Sequence, residues 1–164
     1  MASHQRGAKA GSSPLADQPL FLKETTGTVT KPDSEDLILS IPSSYDAMEK
    51  VAAMIGEAVD RLGINEDDEV DLMISVMEAV NNAIQHGNNE DASKQVHIRI
   101  SAEPGCLVCW VKDEGGGFDP AAVPDPLSPD NLLKPSGRGI LMMSEFMDLV
   151  EFSPGDEGTS VKMS

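Results

Sequence analysis

The sequence predicts an α+β domain, and three patterns predict it. Two stretches with apolar residues at helical spacing follow one another between residues 47 and 84. Two strand-like segments occupy residues 95–112 and form a hairpin. A second strand pair, Asp148–Phe152 and Thr159–Met163, closes the chain behind a short helix. At 164 residues the length suits one domain with its own core.

The elements follow in order. Residues 1–34 are rich in Gly, Ser, Ala, Lys and Thr without a period, and read as a mobile tail ahead of a domain at 35–164. Asp36 to Ile41 is a short apolar edge strand stopped by Pro42. Ser43 or Ser44 caps a helix whose apolar stripe is Ala47, Met48, Val51, Ala52, Ile55, Ala58, Val59 and Leu62, and Gly63 ends it. Asn65 caps the next helix, whose acidic first turn suits the helix dipole. Its apolar side is Leu72, Val76, Val80, Ala83 and Ile84, and Gly87 stands where a left-handed residue would end it. Gln95–Ser101 alternates as a half-buried strand. Pro104-Gly105 turns the chain into Cys106–Lys112, more apolar and hence more central. Ile140–Met147 is a third helix, and Pro154-Gly155 joins the last two strands.

Composition and charge exclude several classes. Apolar residues make up 40% but aromatics only 4%, so nine methionines share the filling of the core. No apolar run approaches the ~20 residues of a membrane span, and no signal-peptide layout opens the chain. Net charge is −16; residues 1–34 carry four basic against three acidic groups, so the remainder carries −17. That field repels nucleic acid and argues against a DNA-binding module. Cys106 and Cys109 lack a second ligand pair and lie within a strand, which predicts buried structural thiols and fits a reducing cytoplasm.

Three polar motifs remain. Glu78 and Asn82 are four apart on one helix face, so a carboxylate that can take a proton lies beside an amide oxygen that can bind a hard cation. Asp113-Glu114-Gly115-Gly116-Gly117 delivers an aspartate at a strand's end, followed by glycines that allow close approach of a ligand. Five prolines follow within 118–136, a length and composition typical of a lid or of disorder. Gly137-Arg138-Gly139 then opens a helix whose free N–H groups suit an anion. Neither the Gly-x-x-x-x-Gly-Lys phosphate loop nor the dinucleotide fingerprint is present.

In this order the motifs resemble the GHKL ATP-binding superfamily of gyrase B subunits, heat-shock chaperones, MutL and histidine kinases. Within it they look most like the bacterial anti-sigma factor serine kinases of the RsbW and SpoIIAB type. Glu78 to Gly87 is similar to the N box, Asp113 to Gly117 to the G1 box, and Gly137 to Gly139 to the G2 box. The likeness covers residues 36–163. It implies the Bergerat ATP-binding fold, a two-layer α/β sandwich with a mixed, mostly antiparallel sheet and helices on one face. It implies Glu78 as general base, Asn82 as Mg²⁺ ligand, and Asp113 as acceptor for the adenine amino group. Gly115 and Gly117 match glycines beside base and ribose; Gly137, Arg138 and Gly139 match the phosphate-facing segment; Thr159 matches a threonine near adenine.

The resemblance further implies ATP and Mg²⁺ as ligands, and a serine/threonine kinase. Its substrate would be a STAS-type anti-anti-sigma protein, its second partner a sigma factor, with a homodimer as a family expectation. Histidine kinases usually place Asn where this chain has Glu78, since a histidine acceptor needs no base. Pro135 stands where some relatives have an arginine, which leaves the phosphate-contacting cation open. The alternative is an ATP-binding partner-switching module without turnover.

Overall fold

The computed structural model describes residues 36–103, 106–117 and 138–164. The expected tail at 1–34, the Pro104-Gly105 turn, the expected lid at 118–136 and Gly137 lie outside the described residues.

Five strands form one sheet: β1 (Leu37–Pro42), β2 (Gln95–Glu103), β3 (Cys106–Lys112), β4 (Val150–Gly155) and β5 (Gly158–Met163), in the order β1-β2-β3-β5-β4. Every described pairing is antiparallel, and β3 is central, as its apolar content predicts. One row of side chains crosses all five strands, Leu39–Ile98–Val111–Val161–Phe152. These face a layer of three helices, α1 (Met48–Leu62), α2 (Glu66–Asn82) and α3 (Gly139–Phe146). Burial of such a Val, Leu or Ile side chain contributes about 1.5–3 kcal/mol. The adjacent row, Arg99–Trp110–Lys162, points away from the helices. There both cations lie over the indole, 4.7 and 5.7 Å from its centre, and Arg99 also pairs with Asp36 at 2.8 Å.

The helices start and stop for local reasons. Ser44 accepts the Asp46 N–H at a single 3₁₀ turn, Tyr45–Ala47, which leads into α1. The expected stripe of α1 omits Met54, which is fully enclosed. Gly63 ends α1 at φ 67°, a left-handed cap. The Asn65 side chain accepts N–H groups from Asp67 and Asp68 at 3.1 and 3.0 Å, and four acidic residues fill the first turn of α2.

Three local expectations are corrected. Cys106 is exposed at the first position of β3; only Cys109 is buried, its thiol pushed up to about 12 by burial. Pro154 and Gly155 belong to β4, paired with Thr159 and Gly158, and the chain reverses at Asp156-Glu157. Proline is tolerated there because β4 is an edge strand. The helix carrying Glu78 does not stop at a left-handed Gly87. It widens into a π turn, Ala83–Gly87, in which the Asn88 N–H donates to Ala83 five residues back. Positive φ comes later, at Asn89 and Glu90.

Candidate functional site

Leu72, Val76, Ala79 and Val80 hold α2 on the sheet. The polar side of the same helix is turned toward α3 at its last two turns. Gly139, the first residue of α3, lies directly on it. A Cβ at Gly139 would overlap Glu78 Oε2 and stand 3.4 Å from Asn82 Nδ2. Glu78, Asn82 and Gly139 are therefore brought together, although Gly139 lies 57 positions beyond Asn82 in the chain. Arg138 is the N-cap of α3, at the same end. Among the described residues, neither the Glu78 carboxylate nor the Asn82 amide has a hydrogen-bond partner.

Asp113 ends β3 and is 4% exposed. Its Oδ1 accepts two backbone N–H groups, Gly115 at 2.8 Å and Thr159 at 3.1 Å. Its own N–H donates to the Thr159 carbonyl at 3.1 Å. Oδ2 accepts none among the described residues. Glycines close around this carboxylate. A Cβ at Gly87 would overlap the Asp113 carboxyl, and one at Gly158 would overlap the Asp113 carbonyl. A Cβ at Gly115 would overlap the Gly87 carbonyl. Gly87 is thus required by close approach rather than by its φ. Gly117 is at φ 88°, which favours glycine on conformational grounds.

Asn82, Asp113 and Thr159 line one shallow cleft, with room for about 20 Å³ of water-sized contents. Ala83, Val111 and Phe152 supply its apolar wall, and exposed His86 stands at its rim. Gly117 and Arg138 are not among the residues that line it, and Gly137 is outside the described residues.

The segment that carries Asp113 is anchored on its far side. Glu114 donates its N–H to Asn88 Oδ1 at 2.8 Å. Its carboxylate accepts the Gln95 N–H at 2.9 Å and lies 3.2 Å from His97 Nε2; His97 Nδ1 meets Ser40 Oγ at 2.8 Å. Partial burial opposes ionisation of Glu114, but the Gln95 amide, the His97 ring and the Lys112 charge outweigh it and hold the carboxyl below its ordinary value.

Sequence reasoning did not single out these anchors. Val111 and Phe152 lie in segments that the sequence predicts as strands. Val111 and Phe152 do both jobs, packing the sheet while forming the cleft wall. Only the proximity of Asn88 to the helix that bears Glu78 and Asn82 offered a signal.

The residues fit an adenine nucleotide with a hard cation. Asp113, a buried residue, leaves one carboxylate oxygen over for a donor, and an open face carries one acid and one amide. Among the described residues no three His, Cys, Asp or Glu side chains gather as a metal cluster. Mg²⁺ commonly takes only one or two protein oxygens, the rest coming from phosphates and water.

Comparison with known proteins agrees with this construction. The family described as "Histidine kinase-like ATPase domain" matches residues 41–164. The chain is 28% identical over 140 residues to the serine-protein kinase RsbW of Bacillus subtilis, covering 82% of this chain and 87% of that one. It is 37% identical over 100 residues to the anti-sigma F factor of a Geobacillus species, covering 58% and 67% respectively. Its fold is similar to that of the RsbU and RsbW domains of a Mycobacterium tuberculosis protein, with a TM-score of 0.59 at 18% identity over 79% of this chain. The chain spans 32% of that longer polypeptide, so the likeness concerns the fold. No helix among the described residues is long and apolar enough to cross a membrane.

Proposed function

The chain belongs to the histidine kinase-like ATPase family, as an ATP-binding protein serine/threonine kinase of the anti-sigma type, and from that premise we propose how its residues divide the work. The base of ATP enters the cleft over Val111 and Phe152, and its amino group donates to Asp113 Oδ2. Thr159 and Gly115 hold that carboxylate in place through their N–H groups. The phosphates extend toward Gly137, Arg138 and Gly139, where the start of α3 supplies N–H donors and the Arg138 side chain a charge. Asn82 would contribute its amide oxygen to Mg²⁺, which would neutralise charge on the phosphates.

The acceptor is a seryl hydroxyl on a small STAS-type anti-anti-sigma protein. Glu78 takes the hydroxyl proton as the seryl oxygen bonds to the γ-phosphorus, and the bond from that phosphorus to the β,γ-bridging oxygen breaks. ADP and a phosphoserine result. Such transfer mainly needs positioning and charge neutralisation rather than covalent catalysis. Phosphorylation of that partner frees this chain to sequester a sigma factor in the cytoplasm. A homodimer fits the same reading.

The observation that carries this reading is the meeting of Glu78, Asn82 and Gly139 beside the cleft that Asp113 floors. Glu78→Gln is nearly isosteric and removes only the base. It should bind ATP with wild-type affinity and fail to phosphorylate a STAS partner. Undiminished transfer by this variant would remove Glu78 from the mechanism. Retained ATP binding with no transfer by the wild-type protein to any STAS partner would leave a partner-switching module without turnover.

A further inference from the structure

We propose that Asn88 is a positioning residue for base recognition: its side chain sets where Asp113 stands and thereby how well adenine is told from a purine that lacks the amino group. This rests on the reading that Asp113 accepts the adenine amino group. Asn88 is polar, yet only 1% exposed. Each of its polar groups is committed to a different element. Its N–H donates to Ala83 at 2.8 Å, closing the π turn. Its Nδ2 donates to the Gln95 carbonyl at 2.9 Å, at the first residue of β2. Its Oδ1 accepts the Glu114 N–H at 2.8 Å, immediately after Asp113.

The ring then closes on itself. Glu114 Oε2 accepts the N–H of the same Gln95 whose carbonyl Asn88 holds. Asn88 thus ties the end of the helix that carries Asn82 to the loop that carries Asp113, with β2 as the fixed support. Its chain neighbour, Gly87, packs against the Asp113 carboxyl. A shift of Asn88 would therefore reach that carboxyl along two routes, through Gly87 on one side and Glu114 on the other. Asn88 touches no residue assigned to the phosphates, so its influence should fall on the base and not on transfer.

The test compares ATP with purine riboside triphosphate, which is ATP without the 6-amino group, by calorimetry on the wild type, Asn88→Asp and Asn88→Ser. The aspartate keeps the acceptor for Glu114 and loses the donor to Gln95; the serine shortens the bridge to both. Wild type should prefer ATP. Both variants should lose about tenfold in ATP affinity, the scale of one hydrogen bond to a charged group, with the analogue little changed. Transfer at saturating ATP should stay near the wild-type rate. An equal loss for both nucleotides, or an unchanged preference, would make Asn88 merely structural and overturn the proposal. Failure of both variants to fold would do the same. A wild type with no preference for ATP would instead overturn the role of Asp113, a result distinct from the others.

Discussion

At one end of the cleft, Asp113 is 4% exposed and held by two backbone N–H groups, with Gly87, Gly115 and Gly158 packed about it. At the other end stands Asn82, with Glu78 one turn back and outside the cleft lining; both are half-buried and have no hydrogen-bond partner among the described residues. The Asp113 end is set by the fold itself, because backbone groups in a sheet and a tight turn cannot readily rotate away. In the proposed reading, the Glu78–Asn82 end offers side chains whose partners would be the phosphates and the cation. The first arrangement suits recognition, where an ordered acceptor lowers the cost of binding. The second suits transfer, where a proton acceptor must remain uncommitted until the nucleophile is present.

That contrast is most sharply tested at Glu78. Glu78→Gln should lower phosphoryl transfer by roughly 10²–10⁴-fold, the span of a general base, with ATP affinity unchanged by calorimetry. A parallel loss of affinity would mean that the two ends are not separable. Asp113→Asn should do the reverse. It presents an amide to the same two N–H donors and, in the proposed reading, to the adenine amino group. ATP affinity should fall about 10–100-fold, the cost of mispairing a buried acceptor. Transfer at saturating ATP should be largely kept in any population that still binds.

Gly87→Ala probes the packing itself. The new methyl group would overlap the Asp113 carboxyl, so unfolding in urea should show a loss of about 1–3 kcal/mol, the usual cost of overpacking. ATP should protect the variant less than it protects the wild type. The smallest effect concerns pH. The Glu114 carboxyl is held below its ordinary value of 4.5, so its contribution is present above that pH and fades as pH falls through the folded value. Its side chain is 41% exposed, which makes the slope shallow. Thermal melts between pH 6 and roughly pH 3 should show this fading in wild type and lack it in Glu114→Gln.

Much of this was legible in the chain. The helical stripes, the alternation of β2 and the capping of α2 by Asn65 need only local rules, and the structure keeps all of them. Glu78 and Asn82 were legible as a pair because helical spacing places them. What brings Gly139 onto them is packing of α3 against α2, a contact across 57 residues that no period encodes. Gly87 shows the limit differently. A glycine at a helix end has an obvious conformational explanation, and that explanation is wrong here because the constraint comes from Asp113, on another element. Cys106 and Cys109 show it again. Strand direction predicts opposite faces for the pair, and end position in β3 leaves the first in solvent.

The π turn at Ala83–Gly87 has a consequence for the phase of the helix. An α-helix turns each residue by roughly 100°, and a π turn delays that rotation by about one residue. Residues before the turn keep the clock of α2, which aims Glu78 and Asn82 at α3. Residues after it run late, and Gly87 and Asn88 meet the sheet instead. One helix thereby serves two directions without a proline. Deleting a single residue between 83 and 86 would give an ordinary α turn with Gly87 and Asn88 still in phase with Asp113 and Glu114, whereas winding the full-length segment as α would rotate both off them by about one residue while Glu78 stayed where it is. The extra residue is in effect a phase shifter, and it lets the Glu78–Asn82 face and the Gly87–Asn88 turn point two ways on consecutive turns of the same chain.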